Sequence, residues 1–301
     1  MKEFLNFNSK NISWFRCGGN VNVFYIIDNL KELQSVIQKY PQYSDKILVI
    51  GAGSNILIRD GGFDGLVLKL TSEFNKINLK SYENDNNKII LTTGSCCLDK
   101  QVSDFALNNN LIGCEFLATI PGTIGGAITM NAGCYGQEIK DILFSVKLLY
   151  KNEIITLSKD DLCFQYREAK IPNNSIILEA DFLLKKGNKE EIDESKNKIK
   201  EMLSLRKLNQ ITGLTCGSTF KNPIDSNGSR ISAWKLIDEV RLRGFQIGGA
   251  KFSDKHCNFI LNTGNATATN IENLILLAKQ LVKEKFNINL VEEIKIIGNK
   301  I

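Results

Sequence analysis

Residues 116 to 137, FLATIPGTIGGAITMNAGCYGQ, carry no charge in a chain where 24% of residues are Asp, Glu, Lys or Arg. The segment has the length of a membrane span. It also holds Pro121, five glycines and Asn131, and helix breakers at that density place backbone in turns rather than in a long apolar helix. Such a segment folds as a loop. Either it packs tightly inside a core, or it leaves N–H groups uncovered by side chains, as loops that approach phosphates or a flat cofactor do. The segment alone leaves both readings open.

A chain of 301 residues suits two or three domains. No other apolar run is long enough to span a bilayer, and the N-terminal MKEFLNFNSKNISWF has no apolar leader region, so the expectation is a cytoplasmic protein without membrane association. Eight cysteines are scattered without a C-x-x-C pair, the pattern of reduced, buried small hydrophobes. His256 is the one histidine. With Cys257 and Cys216 it makes a poor zinc set, and no metal is expected. The net charge of +5 is spread along Lys-rich surface. That slightly favours small anionic ligands and offers no stripe for nucleic acid.

Along the chain, VFYII (23 to 27) reads as a strand, Asp28 as the opening of an amphipathic helix, and ILVI (47 to 50) as a buried strand. GAGSNI (51 to 56) then imitates a dinucleotide fingerprint. Its third glycine is missing, and a turn and strand follow where a helix is needed, so a Rossmann reading fails. IILTT (89 to 93), a helix near 98 to 109, a hairpin of SVKLLY and EIITL about Lys151-Asn152, and IILEADFLL (176 to 184) form an α+β region. The charged segment 185 to 207 has only a thin apolar face and suits a bridge between domains. Beyond about 208 come a helix around 231 to 240, the strand NFILN, and a long helix from Thr269 with a capping box to Glu272. The chain closes with INLVEEIKII, a strand that directs Glu293 to one face and Glu292 to the other.

Four blocks exceed what folding alone needs. GAGSN (51 to 55) and PGTIGGAITMNAG (121 to 133) are bare-backbone loops that can converge on one extended phosphate-bearing ligand. CGSTFKNP (216 to 223) presents Ser218 ahead of Lys221 and Asn222, either as a reactive hydroxyl or as a capping or loop serine. YREAK (166 to 170) sets Arg167 between apolar strands, either as an anion-binding group or in an ordinary salt bridge. A serine hydrolase is disfavoured, because no G-x-S-x-G surrounds Ser218. As an O–H donor to a strongly basic carbanion or enolate, Ser218 needs no histidine.

WFRCGG, GAGSNILIRDGGFDG, CEFLATIPGTIGGAITMNAGCYG, FQYREA, CGSTFKNP, AWKLID, LRGFQIGGAKFSDKHCNFILN and VEEIKIIG follow one another over almost the whole chain. In this order they resemble the UDP-N-acetylenolpyruvoylglucosamine reductase (MurB) family of peptidoglycan synthesis. Without an inserted loop in the 185 to 207 region, the chain is similar to the family's shorter second type. The resemblance implies an α+β protein: a two-subdomain FAD-binding region of the vanillyl-alcohol-oxidase/PCMH-like kind, with subdomains at 1–71 and 72–195, and a C-terminal α+β substrate-binding domain at 196–301. It implies NADPH-dependent, FAD-mediated reduction of UDP-N-acetylglucosamine enolpyruvate to UDP-N-acetylmuramate. A UDP-sugar is then the small-molecule partner, and the expected form is a monomer.

Carried over by motif, Gly51, Gly53, Ser54, Asn55, Pro121, Gly122, Thr123, Gly126 and Ala127 would line the FAD. Arg167 matches the active-site arginine, Ser218 the proton donor and Glu293 the glutamate before the final strand, while Tyr166 and Asn222 would contact substrate. Three positions depart from the family pattern. Ala169 stands for a serine, Thr119 for a glycine before Ile-Pro-Gly, and Arg241 for a glycine after a helix. Thr119 would matter if its backbone were left-handed, and Arg241 would weaken a helix end that calls for a C′ glycine.

Overall fold

The computed structural model describes residues 1–208, 211–225 and 228–301. The chain packs into two compact units, one of Met1–Glu3, Tyr25–Ala52 and Leu66–Leu208, the other of Phe4–Phe24, Gly53–Gly65 and Asn209–Ile301.

In the first unit the helix Leu30–Lys39 turns Leu33 and Val36 into the core. Asn29 caps it in place of Asp28, accepting from Glu32 N at 3.0 Å. Asp28 is taken up instead by the hydroxyls of Thr71 and Ser72, at 2.8 and 2.6 Å. The strand Ile47–Val49 pairs in parallel with residues 66 to 68. It is less buried than expected, because Val49 is exposed and the burial falls to Ile50.

An antiparallel sheet follows, ordered Glu153–Ser158, Leu143–Tyr150, Ile176–Lys186, Lys88–Gly94, Ile77–Ser81. The hairpin turns at Lys151 and Asn152, both left-handed (φ 48 and 67), the backbone of a tight two-residue loop matched to strand twist. Alternation in Ile176–Lys186 buries Leu178, Ala180, Phe182 and Leu184. Burying a leucine or phenylalanine fully contributes about 1.5–3 kcal/mol. Against this face pack the helix Asp99–Asn108 and the uncharged segment.

That segment is more helical than its glycines suggest. It opens within a 3-10 turn, Glu115–Thr119, and holds a six-residue helix, Ile124–Thr129, with Ile124, Ala127 and Ile128 buried. Two glycines inside a helix cost about 1 kcal/mol each relative to alanine. Gly125 packs closely, since a Cβ there would lie 3.2 Å from Ser95. The charged segment is the helix Lys189–Leu208, which lies wholly within this unit. Ile192 and Met202 are buried, and the Ser195 hydroxyl donates to Glu115.

In the second unit the helix Ala268–Phe286 buries Ile271, Leu274, Ile275, Ala278 and Val282, one helical stripe. Its cap is Thr267, boxed with Asn270, rather than Thr269 with Glu272. Other partners have taken the expected pair. Asp60 accepts from Ala268 N, Thr269 N and the Thr269 hydroxyl, and Glu272 receives Arg59 Nε at 3.0 Å. Strands Gln246–Ile247, Ala250–Phe252 and Ile260–Asn262 form an antiparallel sheet beside the helix.

The last strand is shorter than its pattern, Lys295–Ile297, and pairs in parallel with Ile56–Ile58. Residues 291 to 293 pair instead with 219 to 221, through Lys221 N to Val291 O and Glu293 N to Thr219 O, both 2.8 Å. Changing partner between 293 and 295 breaks the strand there.

Candidate active site

Gly51, where the first bare-backbone loop begins, meets the second loop inside the first unit. A Cβ on Gly51 would lie 2.2 Å from Thr123 Oγ1, so only glycine lets the end of the first loop rest on the second. Thr123 is the N-cap residue of Ile124–Thr129 yet makes no side-chain cap, and its hydroxyl lies on the Gly51 and Gly126 side. A Cβ on Gly126 would meet nothing within 4 Å but that hydroxyl, at 3.6 Å. This bare patch is where a flat or phosphate-bearing ligand can approach backbone.

The row of uncovered donors is shorter than expected. Gly122 N, Ile124 N and Gly125 N bond to the carbonyls of Ile120, Cys97 and Ser95 at 3.1, 3.0 and 2.8 Å. Gly122 is glycine for another reason, since a Cβ would lie 2.6 Å from Asp99 Oδ2.

Arg167 sits at the left-handed position (φ 57) of a four-residue turn closed by Gln165 N to Glu168 O at 2.9 Å and the reverse bond at 3.2 Å. A non-glycine residue there stores about 1–2 kcal/mol of strain, a cost concentrated at functional sites. Its Nη2 donates to Gly133 O at 2.6 Å, Nη1 lies 3.7 Å from Glu138 Oε1, and its guanidinium carbon stands 5.0 Å from the Tyr166 ring centre. Both structural and functional readings of Arg167 left open a partner. Glu138 and Gly133 are among its partners, and neither stood out in sequence.

Thr119 is buried on ordinary backbone, with its hydroxyl donating to Phe116 O at 3.0 Å and lying 3.1 Å from Cys134 Sγ. Its departure from glycine therefore carries no left-handed strain.

In the second unit Ser218 is half-buried after Gly217, whose φ of 79 favours glycine. Among the described residues the Ser218 hydroxyl has no hydrogen-bond partner. Its neighbours are pinned: Thr219 N and Phe220 N bond to the carbonyl and side-chain oxygens of Asn258 at 2.7 and 2.9 Å. His256 serves the core instead, its ring 5.0 Å from Phe259 and 5.9 Å from Trp234, and burial holds its pKa below the usual value.

Glu292 and Glu293 have different surroundings. Glu292 receives Lys279 Nζ at 2.8 Å, an ordinary ion pair. Glu293 is fixed through its backbone, N to Thr219 O and O from Asn55 Nδ2 at 3.1 Å. Asn55 thus ties the first bare loop to the glutamate segment of its own unit, and its carbonyl accepts Lys295 N at 3.0 Å. Gly53 (φ 71) accepts Trp14 N at 3.0 Å, and a Cβ there would strike Ile12 O. Asn222 Oδ1 accepts Ala233 N at 2.9 Å.

One residue that the motifs did not single out is anomalous. Asp99 is fully buried beneath Gly122, and neither carboxylate oxygen has a hydrogen-bond partner among the described residues. Desolvation raises its pKa well above the ordinary 3.8.

Residues 209–297 match a family model described as UDP-N-acetylenolpyruvoylglucosamine reductase, C-terminal domain, and residues 21–158 match an FAD binding domain. The UDP-N-acetylenolpyruvoylglucosamine reductase of Orientia tsutsugamushi (strain Boryong) is 44% identical over 298 residues, 98% of this chain and 94% of that one. The protein of the same name from Pelagibacter ubique is 42% identical over 294 residues, 97% and 93% of the two chains. The crystal structure of UDP-N-acetylenolpyruvylglucosamine reductase (MurB) from Thermus caldophilus superposes with a TM-score of 0.80 at 29% identity, covering 99% of this chain and 98% of that one.

Proposed function

The chain belongs to the UDP-N-acetylenolpyruvoylglucosamine reductase family, and on that premise we propose that it catalyses NADPH-dependent, FAD-mediated reduction of UDP-N-acetylglucosamine enolpyruvate to UDP-N-acetylmuramate. The observation that carries this reading is the succession, on one chain, of an FAD binding domain at 21–158 and the reductase's own C-terminal domain at 209–297. The fold is α+β throughout, an FAD-binding region followed by the substrate-binding part. We assign 1–71 and 72–195 to the two FAD-binding subdomains and 196–301 to substrate, in a cytoplasmic monomer.

The residues present suit FAD. Gly51 against Thr123 and the bare Gly126 make a surface that any Cβ would spoil at Gly51 and narrow at Gly126. Gly51, Ser54, Pro121, Gly122, Thr123, Gly126 and Ala127 would line the cofactor, while Gly53 and Asn55 hold the first loop in shape. When bound, FAD supplies the hydride chemistry that no side chain can.

The chain's own groups handle charge and protons. Hydride addition to the enolpyruvyl ether leaves negative charge beside its carboxylate, and Arg167 meets that charge with a planar, permanently ionised fork. Ser218 Oγ delivers the proton to the adjacent carbon. Glu293 orients the reacting end, Tyr166 packs against the substrate, and Asn222 Nδ2 donates to the diphosphate.

Anaerobic half-reactions test these roles. With Ser218→Ala, reduction of the flavin by NADPH should proceed normally, while its reoxidation by the enolpyruvyl UDP-sugar slows by about 10²–10⁴-fold, the usual worth of a positioned acid. Reoxidation at the wild-type rate would remove Ser218 from the chemistry. Glu293→Gln should behave like Ser218→Ala, whereas Glu292→Gln, which loses only the Lys279 pair, should not.

A further inference from the structure

Arg167 is oriented by a relay that begins at a buried amide. Asn131 is fully buried on left-handed backbone (φ 40), and both polar atoms of its side chain are used. Its Nδ2 donates to Glu138 Oε2 and to Gln165 O, both at 2.9 Å, and its Oδ1 accepts Lys140 N at 3.1 Å. Gln165 opens the turn that carries Arg167, and Glu138 faces the guanidinium. One side chain therefore ties the strand end bearing the acid to the turn bearing the base.

Glu138 is held on its other side too. Lys140 Nζ lies 3.0 Å from Oε2, leaving Oε1 as the oxygen nearest Arg167, at 3.7 Å. That separation is too long for a strong charge-assisted hydrogen bond, and partly exposed pairs contribute little stability. The arrangement suits orientation better. With Gly133 O accepting Nη2 at 2.6 Å and Glu138 beside Nη1, one edge of a planar guanidinium is fixed, and so is the plane in which it can receive a carboxylate.

We propose that Glu138, held by Asn131 and Lys140, is a positioning residue for Arg167 in the reductase reaction. This rests on the reading of Arg167 as the group that meets the substrate's developing charge. Glu138 also tempers the arginine's attraction for any anion before reaction. Removing its charge should leave ground-state binding as tight or tighter while orientation is lost, which lowers kcat without raising KM. A structural residue would not produce that split.

The test uses FAD-loaded enzyme. In Glu138→Gln, flavin reduction by NADPH and thermal stability should match wild type, kcat for reduction of the enolpyruvyl UDP-sugar should fall by about 10- to 100-fold, as for a misplaced catalytic group, and KM should stay constant or fall. Glu138→Asp, which restores the charge, should recover part of kcat. Wild-type kcat in Glu138→Gln overturns the proposal, as does a loss shared equally by both half-reactions. If Glu138→Gln takes up no FAD, the loaded Glu138→Asp enzyme decides: wild-type kcat and KM there overturn the proposal, and lowered kcat at constant KM supports it. Arg167→Lys separates the two layers. Wild-type reoxidation by substrate in that variant defeats the reading of Arg167 itself, whereas a stalled Arg167→Lys enzyme with an unaffected Glu138→Gln enzyme defeats only the positioning role.

Discussion

Arg167 and Arg241 both occupy left-handed backbone, at φ 57 and φ 60, where an L-residue is strained by about 1–2 kcal/mol. They differ in what surrounds the strain. Arg241 is the C′ residue of the helix Ala233–Glu239, in a Schellman arrangement: Arg241 N bonds to Asp238 O at 2.8 Å and Leu242 N to Ile237 O at 3.2 Å. Its side chain is exposed and has no partner among the described residues. Arg167, by contrast, donates to Gly133 O and has Glu138 and the Tyr166 ring beside its guanidinium. The same backbone cost is incidental at a helix end and organised in the candidate site, so strain points to function only where the side chain is held as well.

Replacing each arginine by glycine separates these cases. Arg167→Gly relieves its turn, so unfolding free energy should hold or rise, yet reoxidation of the flavin by substrate should slow by about 10²–10³-fold, comparable to loss of an oxyanion donor. Retained turnover would reduce Arg167 to the status of Arg241. Arg241→Gly should leave both half-reactions unchanged and raise stability in denaturant by about 1 kcal/mol. A destabilised Arg241→Gly protein would mean that the exposed side chain contributes more than its backbone costs.

Asp99 lies between these two in expected effect, and it is a cost of another kind. Its folded-state pKa is raised above the ordinary 3.8, so the folded protein holds a proton that the unfolded chain releases. Its contribution to stability is complete below that value and declines as pH rises toward the folded pKa. Asp99→Asn should flatten this decline. Denaturant unfolding of the apo-protein would then increasingly favour the variant as pH rises. An unchanged pH slope would show that Asp99 finds a partner in solution.

Much of the fold could be read from local pattern. Alternation located Ile176–Lys186, helical spacing located Asp99–Asn108 and Ala268–Phe286, and Lys151-Asn152 marked its hairpin. Errors fell at element ends, where several groups compete for the same donors. Thr267 rather than Thr269 caps the long helix because Asp60, some two hundred residues earlier in the chain, occupies the N–H groups of Ala268 and Thr269. INLVEEIKII has the alternation of one strand, but its two halves pair with different segments.

The candidate site divides in the same way. Residue type and order within GAGSN, PGTIGG, YREA, CGSTFKNP and VEEIKIIG were enough to identify the family and nominate Arg167, Ser218 and Glu293, because those properties reside in the chain itself. Which donors in the glycine loop remain open, that Gly51 rests on Thr123, that Glu292 is spoken for by Lys279, and that Asn131 and Glu138 orient Arg167 were decided only by tertiary structure. Hydrogen-bond satisfaction and ion pairing depend on distances of a few ångströms between residues remote in sequence, and periodicity carries no record of them.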